Sequence, residues 1–161
     1  MDWTECLRHR MIKEVSSDFN KIVSIKENAE KKLEAIMILE DKYYYAKLSL
    51  LYEVSREFLE CLALKKGYKV YGHECYVAFL KEILKESVLG DDFNKFRILR
   101  NGINYYGKKI TQEEGVEAIK QMSLHELKLM PFFHNVNLKF ATQKSKEFLS
   151  NEQKLEIEEW L

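Results

Sequence analysis

One proline, Pro131, and six glycines in 161 residues leave the chain little that interrupts a helix. Three cysteines, Cys6, Cys61 and Cys75, are an odd number without close ligand spacing. They are expected as buried thiols in a reducing cytoplasm, not as disulfides or zinc ligands. Neither charge is in excess: Lys+Arg and Asp+Glu are 26 each, so no global field draws the protein to nucleic acid or an acidic membrane. Any anionic partner must be met by a local cluster. No apolar run approaches the ~20 residues of a membrane span, and the opening MDWTECLRHRMIKE carries charges where a secretory signal needs an apolar core. A soluble cytoplasmic protein is expected. Glycine-rich phosphate loops, metal-ligand clusters and serine triads are not evident, so neither a cofactor nor a metal is expected.

What is present is helix-forming Glu, Lys, Leu and Ala, 46% hydrophobic residues and enough length for one sizeable core. The chain reads as a single all-α domain spanning 1–161. From Ser17 to about Glu40, Phe19, Ile22, Ala29, Leu33 and Ile36 recur at helical steps, with a shorter helix before them. A second long helix starts near Tyr43, buries Leu48, Leu51, Phe58, Leu59 and Leu62, and stops at Gly67. After the turn GYKVYGHE, a third presents Tyr76, Phe79, Leu80, Ile83 and Leu84 and is expected to end at Gly90, with Asp91 or Asp92 capping the next. Gly107 closes that fourth helix. Thr111 and Glu114 form a capping-box pattern for another, running to the Pro131 region. Beyond it PFFHNVNLKFATQ has no clean period, and Ser150 with Gln153 suits a short last helix ending at Trp160. Short connections favour an antiparallel up-and-down bundle of four main helices with additional terminal helices.

The stretch Arg97 to Lys109, RILRNGINYYGKK, concentrates arginine, asparagine and tyrosine. At about 100° per residue, Phe96, Leu99, Ile103, Tyr106 and Ile110 fall on a core stripe. Arg97, Arg100, Asn101, Asn104 and Lys108 gather on the opposite side, with Tyr105 on the flank. The plain reading is the polar face of a bundle helix that happens to lack acids. The chemical reading is a phosphate or nucleotide site: arginine offers a fixed fork of donors, asparagine both donor and acceptor, and tyrosine a ring for a base to stack on.

That RN pair late in a helical chain, with YYYAKLSLLYEVSREFLECLALKKGYKVYGHECYVAFLKEIL before it, resembles microbial members of the HEPN superfamily, the higher eukaryotes and prokaryotes nucleotide-binding domains. The resemblance covers about Phe19 to Glu117, including the GYK turn followed by His73 and Glu74; residues 131–161 are an unassigned extension. It implies an antiparallel helical bundle and a homodimer. It also implies a metal-independent ribonuclease or RNA-binding protein of the toxin–antitoxin or defence type. The family motif is an arginine, often followed by a polar residue, then a histidine after about four to six more. Arg100 and Asn101 match its first half. Four intervening residues after Arg100 lead to Tyr105 and six after Arg97 lead to Asn104, neither a histidine.

The difference matters because cleavage by the RNA's own 2′-hydroxyl needs a group that exchanges protons near neutrality; histidine titrates near ~6.5 and tyrosine near ~10. The resemblance therefore implies RNA or nucleotide binding with cleavage weak or lost. The alternatives are an active endoribonuclease using Arg100, with Asn101, Asn104 and Tyr105 as the other catalytic candidates, or a module that docks a nucleotidyltransferase antitoxin. Such antitoxins add AMP groups to a tyrosine two places beyond the histidine, which points to Tyr106, or to Tyr105 as the more accessible ring. Of the histidines, His73 is read as a turn or cap residue, and His9, His125 and His134 are dispersed. Tyr43, Tyr44 and Tyr45 are read as a packing cluster at a helix entry.

Overall fold

The computed structural model describes residues 1–133. The expected irregular stretch begins inside them, where Met130–Phe133 form a 3-10 turn; the rest of that stretch, the final helix and His134 lie outside them. Of the described residues 76% are helical and 5% form strand, in an all-α bundle. The helices are α1 (Trp3–Arg8), α2 (Phe19–Ile38), α3 (Tyr44–Lys65), α4 (Cys75–Ala78), α5 (Ser87–Tyr105) and α6 (Gln112–Leu129). Two short strands, β1 (Ile12–Glu14) and β2 (Tyr68–Val70), pair antiparallel with Ile12 opposite Val70.

Helix α3 is the axle, packing against α2, α5 and α6. Its sequence explains this: the run Glu57 to Leu64 is buried all the way round, as only a central helix can be. Gly67, at φ +85°, turns the chain out of α3 in the left-handed conformation that glycine tolerates. Helix α2 presents Ile22, Ala29, Leu33 and Ile36 to α3. Phe19, expected on that stripe, is instead 67% exposed, at the first position of α2. Helix α6 begins with the expected capping box: Thr111 Oγ1 accepts from Glu114 N–H (3.2 Å), and Glu114 accepts from Thr111 N–H (2.8 Å). Tyr44 and Tyr45 pack at the entry of α3 and bond with their hydroxyls to Ile110 before α6.

Three further expectations fail. The third helix does not run to Gly90; it passes through a π-helical turn at Phe79–Ile83 and breaks at Lys85, which takes φ +63°. Helix α5 then runs straight through Gly90, Asp91 and Asp92. Gly90 serves close approach, since a Cβ there would lie 2.6 Å from Lys81 Cγ and 3.3 Å from the Val77 carbonyl. Asp91 and Asp92 do not cap; they pair with Lys81 and Lys95. Second, Cys6 and Cys75 form a disulfide across 69 residues, tying α1 to α4, so only Cys61 stays a free thiol. Burial pushes that thiol up to about 12, which makes it unreactive. The bond also removes the argument from free thiols for a reducing compartment. Third, Tyr106 is not core: α5 ends at Tyr105, and Tyr106 is 81% exposed. No helix among the described residues is long and apolar enough to cross a membrane.

Candidate functional site

Helix α5 divides along its length. Its first half buries Leu89, Gly90, Phe93 and Phe96. Its second half carries the polar residues: Arg97, Arg100 and Asn101 are half-buried, Asn104 and Tyr105 are exposed, and Arg100 and Asn104 reach a polar flank of α3 formed by Ser49, Tyr52 and Glu53. Asn104 Oδ1 accepts from Ser49 Oγ (3.1 Å), and Arg100 Nη2 donates to Glu53 Oε1 (3.1 Å). The expected surface stripe is a half-buried seam between two helices.

Arg100 is its centre. The guanidinium carbon sits 5.4 Å from the ring centre of Tyr52 and 5.0 Å from that of Tyr105, so it is held between a buried aromatic and an exposed one. Nη1 donates to Tyr105 Oη (2.7 Å) and Asn101 Oδ1 (3.2 Å). Nε is buried and has no hydrogen-bond partner among the described residues. Glu53 is shared, its second oxygen accepting from Arg56 Nε at 2.8 Å. Arg56 also bonds Glu60 (2.9 Å), which is paired in turn with Lys69. Burial works to lower the Arg56 pKa, but the hydrogen bond and charge of Glu53 and the hydrogen bond of Glu60 raise it overall. Burial would raise the Glu60 carboxyl, yet its bonds to Lys69 and Arg56 hold it below the usual range.

One turn before Arg100, Arg97 has only a neutral tether: Nε and Nη2 both donate to Asn94 Oδ1, at 3.2 and 2.9 Å. No carboxylate among the described residues pairs with it. Lys108 does not join the group. It lies beyond the helix end, its stem folded over Gly102.

The cluster does contain a histidine, from elsewhere in the chain. Tyr52 Oη lies 3.0 Å from His73 Nδ1, and the two rings are 5.8 Å apart. Tyr52 thus touches both Arg100 and His73. Burial lowers the His73 pKa; the Glu53 charge opposes this, while Arg56, Arg100 and Arg97 add to it. At neutral pH the imidazole is uncharged. Burial also keeps the Tyr52 phenol protonated, so its hydroxyl can either donate to Nδ1 or accept from it. In the first case Nε2 carries a proton to give; in the second it is a base.

No protein-family model, curated protein or solved structure matches this chain.

Sequence reading thus placed Arg97, Arg100, Asn101, Asn104 and Tyr105 together on one helical segment, and the fold keeps them there. It missed Tyr52, Glu53, Arg56 and His73. The stretch YEVSRE held a signal, since polar residues at Glu53, Arg56, Glu57 and Glu60 interrupt an otherwise apolar helix. His73 gave none, because its approach depends on how the turn after β2 is folded. Among the described residues no three His, Cys, Asp or Glu side chains converge to hold a metal.

Proposed function

We propose that the protein binds RNA or a nucleotide through phosphate oxygens at Arg97 and Arg100, with Asn101 and Asn104 alongside and Tyr105 as a stacking surface. The observation that carries this reading is Arg100 itself. A guanidinium gripped by two rings, with one buried donor unused, is a group held in position for an acceptor that reaches it by displacing one of its present neighbours. Arg97, tethered only to an amide, adds positive charge beside it. The HEPN-like sequence pattern supports the same ligand class, and the all-α bundle is compatible with it. A homodimer, and a nucleotidyltransferase partner that modifies Tyr105 or Tyr106, belong to this reading; both tyrosines are exposed enough to be reached. Work in the cytoplasm belongs to this reading, and the Cys6–Cys75 bond, of a kind rare in reducing compartments, stands against it.

His73 favours a second reading, metal-independent cleavage. With Nδ1–H donating to Tyr52, His73 Nε2 would take the proton from a 2′-hydroxyl. That oxygen attacks the adjacent phosphorus, the bond to the 5′-oxygen breaks, and the leaving oxygen receives the proton back from His73, giving a 2′,3′-cyclic phosphate, a 5′-hydroxyl and the neutral imidazole. Arg100 would hold the phosphate charge. Incubating wild type, Arg100→Ala and His73→Gln with a mixed RNA pool in EDTA separates the readings. Cyclic ends that vanish in both variants establish cleavage. Intact RNA that is retained by wild type and released by Arg100→Ala establishes binding alone. Intact RNA with no retention, together with no binding of AMP, removes both.

A further inference from the structure

We infer that the loop after α5, Tyr106 to Lys109, is a second subsite continuing the arginine seam, so that the ligand is a single strand of RNA and not a free nucleotide. The inference rests on the phosphate-binding reading above and names its ligand.

Between Asp92 and Glu113 the sequence holds no acid, while Lys95, Arg97, Arg100, Lys108 and Lys109 supply five positive charges in a chain with no net charge. Lys95 is tied to Asp92 and Arg100 to Glu53. Arg97, Lys108 and Lys109 pair with no carboxylate among the described residues. The loop that carries the two lysines is anchored at both ends. Gly107 turns the chain back at φ +65°, and the N–H groups of Tyr106 and Lys108 both donate to the Gly102 carbonyl, at 3.2 and 2.9 Å. At the far end Tyr45 Oη accepts from Ile110 N–H (3.2 Å), and the Tyr44 and Tyr45 hydroxyls donate to the Ile110 carbonyl at 3.0 and 3.3 Å. The Ile110 backbone bond lowers the Tyr45 pKa most and the Tyr44 hydroxyl next; the Lys109 charge adds to them, which places Lys109 beside this anchor, while burial and Glu114 oppose. Glu114 itself is occupied in its capping box. Held this way, Tyr106, Gly107, Lys108 and Lys109 are all exposed, so a ligand reaches them without moving any neighbour.

One nucleotide needs one ring and one phosphate contact, and the arginines with Tyr105 supply both. Tyr105 sets one face of its ring on the Arg100 guanidinium and, 65% exposed, leaves the other to a base. Tyr106 is a second exposed ring, and successive residues at a helix end project about 100° apart, so the two tyrosines cannot serve the same base. A second ring with a second pair of cations is surplus for a mononucleotide. It matches the next base and phosphate of a strand, since base stacking on aromatics beside a positive track is how single strands are held without a sequence code. A duplex keeps its base faces inside its own stack, so the rings favour a single strand.

The test uses a labelled, 2′-O-methylated RNA strand of about twelve nucleotides and mixed sequence, which this chemistry cannot cleave, alone or annealed to its complement. Its binding is followed by fluorescence anisotropy at pH 7.5 over a range of salt, beside calorimetric titration with AMP. Wild type is expected to bind the single strand at least about a hundredfold more tightly than AMP, and more tightly than the duplex. Lys108→Ala with Lys109→Ala should reduce the slope of log K against log salt by about 1.4, two phosphate contacts at ~0.7 each, and leave AMP affinity within about twofold of wild type. Tyr106→Ala should weaken the strand at least about fivefold, the worth of one base stack, again without effect on AMP. Strand affinity and salt slope unchanged in both variants, with AMP still bound through Arg100, overturn the second subsite and leave the phosphate reading intact. Duplex bound as tightly as the single strand overturns the assignment to a single strand. Binding of neither strand nor AMP by wild type overturns both readings.

Discussion

Two histidines among the described residues are depressed in pKa, and their surroundings differ. His125 lies in the α5–α6 core, stacked on Phe93 (6.1 Å) with Phe96 edge-on (5.6 Å), and bonded through Nε2 to the Leu89 carbonyl at 3.1 Å. Burial lowers it to about 4, and the Leu89 bond pulls only partly the other way. His73 lies at the rim of the arginine seam, and after burial its listeners are charges: Glu53 against Arg56, Arg100 and Arg97. One ring belongs to packing and stays neutral whatever binds. The other responds to any change in the charge beside it. The two are linked by aromatic contacts, since Tyr52 stacks on Phe93 at 5.5 Å. The contrast teaches that a shifted pKa points to a site only when mobile or exchangeable charge accounts for part of it.

The strongest way to break the comparison is to remove the ring between its halves. Phe93→Ala should cost about 3–5 kcal/mol in denaturant unfolding, because it leaves a cavity under both Tyr52 and His125. A loss below about 1 kcal/mol would mean the two regions are not joined through it.

Acid should act mainly through His125. Its folded pKa lies below the unfolded ~6.5, so as pH falls the unfolded chain takes the proton first. The stability is fully present above ~6.5 and lost between there and about 4, roughly 3 kcal/mol in all. His125→Gln, which keeps a donor for Leu89, should flatten that slope in pH-dependent melts. An unchanged slope would place the titration elsewhere.

Arg100→Ala sharpens the comparison from the other side. It should weaken binding of RNA or AMP at least about tenfold, the worth of charge-assisted hydrogen bonds. Stability should change by only about 1 kcal/mol, since Glu53 keeps Arg56 and the pair is partly solvated. A large loss of stability with unchanged binding would make the seam structural. The smallest effect belongs to His73→Gln: stability at pH 7.5 within about 0.5 kcal/mol of wild type, with the gain in phosphate affinity below ~6.5 reduced.

How much was legible in the sequence follows the same division. Periodicity and punctuation located α2, α3 and α6, the stop at Gly67, the turn at Gly107 and the Thr111 capping box, because these are local. It misplaced the break at Lys85. A glycine inside a helix signals close packing as readily as an end, and only the approach of Lys81 and Val77 tells which. Three-residue strands are too short to show an alternation, and a disulfide between Cys6 and Cys75 depends on the fold that brings them together. For the seam, helical spacing showed that Arg97, Arg100, Asn101 and Asn104 share a face. It could not show that the face meets Ser49, Tyr52 and Glu53, nor that His73 arrives from the turn after β2. Spacing reports neighbours on one helix and is silent on what packs against them.

The most direct test of the account is a two-dimensional NMR titration of the histidine ring protons between pH 4.5 and 8, without and with saturating AMP, in wild type and Arg100→Ala. The account predicts that AMP raises the His73 pKa in wild type, where the phosphate settles beside the arginines, leaves His125 where it was, and moves neither in Arg100→Ala. A His73 titration indifferent to AMP, or one shifted equally without Arg100, would contradict a phosphate site at this seam.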